Sequence, residues 1–187
     1  EVGLDEGGLV VRAEVKGKLR EYRADQVLVA TGRRPSVAGL WSSSVDLALD
    51  RGFIQVDEAY RTSVPGIRAV GDVIGGNLLA HEAEAEGRAV IQAILGDAPT
   101  EDLRYIPSCI YTVPEAASVG LSEQAAMDKG FAIKTHKILM AANARTQIDA
   151  LGRGFMKLVY EEESLKLLGV HLVCGRASDL IAEFSTH

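Results

Sequence analysis

The residues best suited to chemistry lie in the stretch 62–81, TSVPGIRAVGDVIGGNLLAH. An apolar run at 67–70 reads as a short strand that stops at Gly71 and Asp72. A glycine-bearing loop follows, and small residues open a helix near Leu79. A carboxylate at a strand's carboxyl end can accept hydrogen bonds from sugar-type hydroxyls, and Gly71 leaves a ligand room to approach. Leu78, Leu79, Ala80 and His81 supply the helix start. Its first N–H groups lack intrahelical acceptors, and its positive dipole end favours negative charge by about 0.3–1 kcal/mol at a surface. The stretch can therefore hold a polar or anionic group. From residue types alone, an aspartate in an ordinary turn before a surface helix fits equally well.

A second position of this kind is Gly32. It follows the run 27–30 (VLVA), which is short and apolar enough for a strand buried on both faces of a parallel sheet. Ligands of open α/β sheets bind just beyond such strand ends. Arg33 and Arg34 can face phosphate or pair with acidic neighbours; a structural role is expected, and Pro35 closes the unit. Cys109 and Cys174 fit neither metal nor CxxC spacing and read as buried strand thiols. His136 and His171 fall in predicted strands as ordinary core or edge residues. No His/Cys/Asp/Glu grouping has ligand spacing, so no metal site is expected. Glu115 after Pro114 reads as a local hydrogen-bonding residue, and Glu161, Glu162 and Glu163 as a solvated turn.

The elements that must position these residues show two textures. Residues 9–15 alternate loosely as a half-buried strand, with Gly17 as a turn and 19–22 as the hairpin return. Residues 36–51 read as a linker with a short helix around 45–49, where Trp41 is taken as packing, and 53–56 as a short strand. Over 79–95, Ala80, Ala83, Gly87, Val90 and Ile94 recur at helical spacing. They form a smooth face able to lie against a sheet or a flat ligand, with Glu82, Glu86 and Arg88 elsewhere and Gly96 as the stop. The polar 97–102 (DAPTED) is the candidate domain boundary. Beyond it, strands are expected at 106–112, 116–119, 132–140, 155–160 and 165–173. Helices are expected at 122–129, with Ser122 as cap and Gly130 as end, and from Ala177 onward. Antiparallel strands with helices against one face make this second half α+β.

A chain of 187 residues suffices for one large or two small domains. Its 47% apolar and 25% charged content is that of a globular protein, and the net charge of −6 argues against nucleic acid or an anionic membrane as partner. No apolar run approaches the ~20 residues of a membrane span, and no signal peptide is expected from these residues. With few cysteines, a reducing, cytoplasmic location is the default. The first residue is not Met and the last residues run into a helix pattern, so the chain is expected to be a fragment of a longer protein.

In order along the chain, five segments resemble the C-terminal half of the pyridine nucleotide-disulfide oxidoreductases. They are VLVATGRRPS (27–36), RTSVPGIRAVGDV (61–73), NLLAHEAEAEG (77–87), IPSCIYTVPEAASVGLSE (106–123) and MAANARTQID with GFMKLVY and LLGVHLV (140–173). IYTVPEAASVG and MAANAR are most similar to the dihydrolipoamide dehydrogenase branch. The resemblance implies three pieces: 1–35 as the end of an NAD-binding domain, 36–102 as the second half of an FAD domain, and 103–187 as most of an interface domain that forms a homodimer. The implied fold class is α/β with parallel or mixed sheets, followed by an α+β interface domain with an antiparallel sheet.

By the same resemblance, Asp72 holds the ribityl chain of FAD with Gly71 giving room. Leu78, Leu79, Ala80 and His81 lie beside the isoalloxazine ring, and Gly32 lies near NAD. No residue of the chain is assigned a catalytic role: the family's redox cysteines, first GxGxxG and His–Glu pair are absent, and His187 lacks the context of that pair. The implied activity is oxidation of a dihydrolipoyl group by NAD+ through a disulfide and FAD, serving the lipoyl domains of an acyl dehydrogenase complex. Mercuric, glutathione or transhydrogenase-type relatives are the alternative. The 187 residues by themselves are a non-catalytic dimerisation module on a second reading.

Overall fold

The computed structural model describes residues 1–5, 7–98 and 102–185; His187 and part of the expected boundary 97–102 lie outside them. The chain divides into two compact units, Glu1–Arg34 and Pro35–His187.

In the first unit, β1 (Val2–Asp5), β2 (Gly8–Val15) and β3 (Lys18–Ala24) form an antiparallel sheet in sequence order. The β2–β3 hairpin turns on Lys16 and Gly17, both left-handed at φ 52° and 73°, as a two-residue turn that follows strand twist requires. Asp5 accepts two hydrogen bonds from Arg23, at 3.0 and 2.8 Å, and Val10 is the buried residue at the centre. The parallel strand expected at 27–30 does not form. Leu28 is 90% and Val29 71% exposed, and every ladder among the described residues is antiparallel. Local apolarity equips a segment to be a buried strand, but pairing needs neighbouring strands, and no strand among the described residues pairs with it.

The second unit opens irregularly. Instead of a helix at 45–49, β4 (Leu49–Asp50) pairs with β5 (Phe53–Ile54). The preceding backbone is bonded crosswise: Ala48 N donates to Ser63 Oγ at 2.9 Å, and its carbonyl accepts from Gln55 N at 2.9 Å. Residues 67–70 are likewise not a sheet strand. They fold back on 60–62 through one bridge, Arg61 to Arg68, with Ala69 N donating to Tyr60 O at 3.1 Å. A 3-10 turn, Gly71–Ile74, follows, then α1 (Ala80–Leu95) ending on left-handed Gly96.

The rest is a five-stranded antiparallel sheet in the order β6 (Ser108–Ile110), β7 (Glu115–Gly120), β10 (Leu167–Cys174), β9 (Phe155–Glu161), β8 (Ile133–Leu139). One face carries Ala117, Val119, Val170 and Leu172 and is covered by α4 (Ala177–Leu180) with Ile181 beyond it. On the other face, Val159 and Leu168 pack on Ala126 of α2 (Glu123–Asp128), whose Ser122 caps it by accepting from Ala125 N at 3.1 Å. Leu168 has the same parity as Val170 and Leu172 yet points to the opposite face. A register shift between Leu167 and Gly169 causes this, since one extra residue flips the side-chain alternation. The bulge needs glycine: a Cβ on Gly169 would sit 2.0 Å from Leu121 O. The short α3 (Ala144–Ile148), capped by Asn143, joins β8 to β9. No helix among the described residues is long and apolar enough to cross a membrane.

Candidate functional site

The expected site residues Gly71, Asp72, Leu78, Leu79, Ala80 and His81 fall on one turn, one loop and one helix start of the second unit. Gly71 adopts φ +75°, and a Cβ there would lie 2.9 Å from Ala83 Cβ, so the turn is pressed against the first turns of α1. Asp72, next in the turn, is exposed. Gly75 and Gly76 carry the chain back at φ 91° and 80°. Leu78 is left-handed at φ 57°, a conformation that costs a branched apolar residue of order 1–2 kcal/mol. Leu79 precedes α1 in an extended conformation, and its side chain gives no cap, so the first-turn amides take no acceptor from it. Open cavities flank the turn. One of about 480 Å³ is lined by Trp41, Leu47, Ile54 and Val73; another of about 610 Å³ is lined by Phe53, Ile74, Gly76 and Leu78.

His81 is exposed, and its Nε2 lies 2.6 Å from Pro107 O, which ties the helix start to the approach of β6. Gly32, in the other unit, has φ +100° and is exposed.

The predicted face of α1 packs in part: Val90 is buried and Ala83 and Gly87 are half-buried, while Ala80 and Ile94 at its ends are exposed. Off that face, Ala85 is buried and Glu82 and Glu86 are half-buried. Small size let Ala83 meet Gly71, but the turn also needed acceptors, and the glutamates supply them. Glu86 Oε2 accepts from Gly71 N at 2.6 Å, and Glu82 Oε1 accepts from Asn77 Nδ2 at 3.0 Å. Burial pushes the Glu86 carboxyl above its usual range, Glu82 adds to this, and the Gly71 bond partly opposes it. Burial, then Glu86 and Glu82, raises Tyr60 as well. Residue-type reasoning missed Glu86. Its signal was there: like charges at i and i+4 of a helix repel, a cost that calls for a compensating job.

The other chemistry-bearing residues are structural. Cys109 is half-buried in β6 and Cys174 buried in β10; both are free thiols raised by burial and then by Glu115. His171 Nε2 is satisfied by Leu121 O at 3.2 Å, and His136 is exposed on β8. Glu115 accepts from Ser178 N at 2.9 Å and Ser178 Oγ at 2.7 Å, and these bonds lower its carboxyl pKa. Its partner is 63 residues away, not local as expected. No group of three or more His, Cys, Asp and Glu among the described residues is placed to hold a metal ion.

Two family models match, pyridine nucleotide-disulphide oxidoreductase over residues 4–87 and its dimerisation domain over 106–187. The chain belongs to the pyridine nucleotide-disulphide oxidoreductase family. Mitochondrial dihydrolipoyl dehydrogenase of Caenorhabditis elegans is 38% identical over 187 residues, covering 97% of this chain and 38% of that protein. Dihydrolipoyl dehydrogenase of Geobacillus stearothermophilus is 40% identical over 179 residues, covering 95% of this chain and 38% of the relative. Among solved structures, LpdA of Mycobacterium tuberculosis aligns at TM-score 0.85 and 28% identity, covering 98% of this chain and 40% of its own. The HOCl-induced flavoprotein disulfide reductase RclA of Escherichia coli aligns at 0.82 and 26%, covering 98% and 42%. The chain thus spans about two-fifths of the length of the relatives it matches. For this family the antiparallel sheet of 108–174 corresponds to the span matched by the dimerisation model.

Proposed function

We propose that this chain is the flavin-side and interface portion of a dihydrolipoyl dehydrogenase-type oxidoreductase, working as a homodimer in a reducing, cytoplasmic setting that suits its free thiols. Residues 1–35 close an NAD-binding domain, 36–102 give the second half of an FAD domain, and 103–187 make the interface domain. The observation that carries the reading is the Gly71–Ile74 turn set against the start of α1, with Asp72 exposed on it.

These residues fit the ribityl–flavin half of FAD. A glycine without room for a Cβ brings backbone close, an aspartate offers hydroxyl acceptors, and a 16-residue helix begins without a side-chain cap. They do not fit the pyrophosphate, since no GxGxxG stands in the chain. When bound, FAD supplies two-electron transfer between a dithiol–disulfide pair and a nicotinamide. Asp72 orients the ribityl hydroxyls. The amides at 79–81 would favour negative charge on a bound ring by fixed dipoles. Gly32 lets backbone approach NAD. The substrate class is a dihydrolipoyl group, as the names of the relatives suggest, presented by lipoyl domains of an acyl dehydrogenase complex.

Two tests separate the parts of this reading. Riboflavin is expected to bind the chain weakly and ADP not at all, as the ribityl–flavin grip is here and the pyrophosphate grip is not. Preference for ADP would overturn the assignment. The chain alone, given FAD, dihydrolipoamide and NAD+, is expected to make no NADH, because its two cysteines do not form a redox pair. Turnover would contradict that.

A further inference from the structure

Three positions of α1 fasten the segment 71–79. Glu82 accepts from the Asn77 side chain, Ala83 receives the backbone of Gly71, and Glu86 accepts the Gly71 N–H. The third is the one hydrogen-bonded to the residue before Asp72. A backbone N–H donated to a carboxylate is a stronger bond than one donated to a neutral acceptor. The acceptor's charge therefore bears on how firmly the turn is held.

We propose that Glu86 is the positioning residue of the Asp72 turn: its ionised carboxylate, by accepting the Gly71 N–H, locks Gly71–Ile74 against α1, and protonation of that carboxylate loosens the turn. The ionisable groups around it are Glu82 from α1, whose charge raises it, and Tyr60, which the Glu86 and Glu82 charges raise in turn, while Arg68 donates to Ala59 O. Burial and then the Glu82 charge place the proton-binding range above that of an ordinary carboxylate, the Gly71 bond partly opposing them. What the locked Asp72 then grips rests on the flavin reading; the lock itself does not.

The test uses backbone amide NMR of the 187-residue chain between about pH 4 and 8, with Gly71 and Asp72 as reporters. The Gly71 amide proton is expected to move upfield on acidification with a midpoint above 4.5, the ordinary value for this carboxyl, and Asp72 should follow with the same midpoint. In Glu86→Gln the amide oxygen still accepts but carries no charge, so the titration disappears and Gly71 protection at neutral pH falls part-way, to about the level wild type reaches at acid pH. In Glu86→Ala protection at Gly71 falls about tenfold or more, while Val170 and Leu172 in the sheet stay protected and report an intact fold. A Gly71 amide that does not titrate in the wild type, or that stays protected in Glu86→Ala, overturns the proposal.

Riboflavin affinity distinguishes the lock from the ligand. A fivefold or greater loss in Glu86→Ala supports both. Equal binding in wild type and variant overturns the positioning role and leaves the flavin site standing. If riboflavin fails to bind the wild type, the flavin reading falls, and the lock is decided by the Gly71 amide.

Discussion

Glu86 Oε2 lies 2.6 Å from the Gly71 nitrogen, across 15 residues of sequence, and joins the side of α1 to the turn that presents Asp72. The bond makes the geometry of the candidate cofactor turn depend on a side chain in the second turn of α1 as well as on the loop's own glycines. It also places a carboxylate where burial disfavours its charge.

Glu86 and Glu115 should give opposite pH dependences of stability. The Glu86 carboxyl is raised in the folded state, so the native chain binds its proton more tightly than the unfolded chain. Its contribution is fully present below the unfolded value near 4.5 and is lost as pH rises through the folded value. Glu115 is lowered, so its contribution is present above the unfolded value of 4.5 and is lost as pH falls through the folded one. Urea midpoints across this range should show Glu86→Gln gaining on wild type as pH rises. Ser178→Ala, which removes the Oγ donor to Glu115, should lose its deficit as pH falls. Parallel pH profiles for both variants would refute these assignments.

The glycines differ sharply in what they protect. Gly130 has φ +83° but open space around a would-be Cβ, so Gly130→Ala should cost only the left-handed strain, about 1–2 kcal/mol. Gly169 has no such strain, but its Cβ would meet Leu121 O at 2.0 Å within the bulge that turns Leu168 to the α2 side. Overpacking of this kind costs about 1–3 kcal/mol or more. Chemical unfolding should rank Gly169→Ala well below Gly130→Ala; the reverse order would mean the bulge is free to move.

Edge strand β6 and the residues after it expose Ile110, Tyr111 and Val113, with Tyr111 79% and Val113 102% accessible. An apolar sheet edge left in water invites pairing with a second copy. Sedimentation velocity at micromolar concentration should show a dimer for the wild type and a monomer for the Tyr111→Asp, Val113→Asp double variant. Equal sedimentation of the two would move the proposed interface elsewhere.

How much the residues reveal depends on whether an element carries its own partners. The sheet of 108–174 was legible because each strand meets its neighbours within the chain, and the hairpin 8–24 because Lys16 and Gly17 supply a turn that closes it. Ser122 and Gly96 announced helix ends by local chemistry. Residues 27–30 and 67–70 looked like strands by composition, yet one stands in solvent and the other makes a single bridge, because strand formation depends on what lies alongside. The turn at Gly71 and Asp72 was visible in the sequence. Its tether was not, since apolar periodicity sorted Glu86 to the outside while hydrogen bonding drew it in.

Asp72 is where the central claim is most exposed to test. A hydrogen bond to a charged acceptor contributes about 1.5–3 kcal/mol, and about 1.4 kcal/mol is tenfold in affinity. Flavin fluorescence quenching should therefore give riboflavin an affinity for Asp72→Ala at least about tenfold weaker than for wild type, with both chains folded. Equal affinities would contradict the assignment of this turn as the ribityl grip.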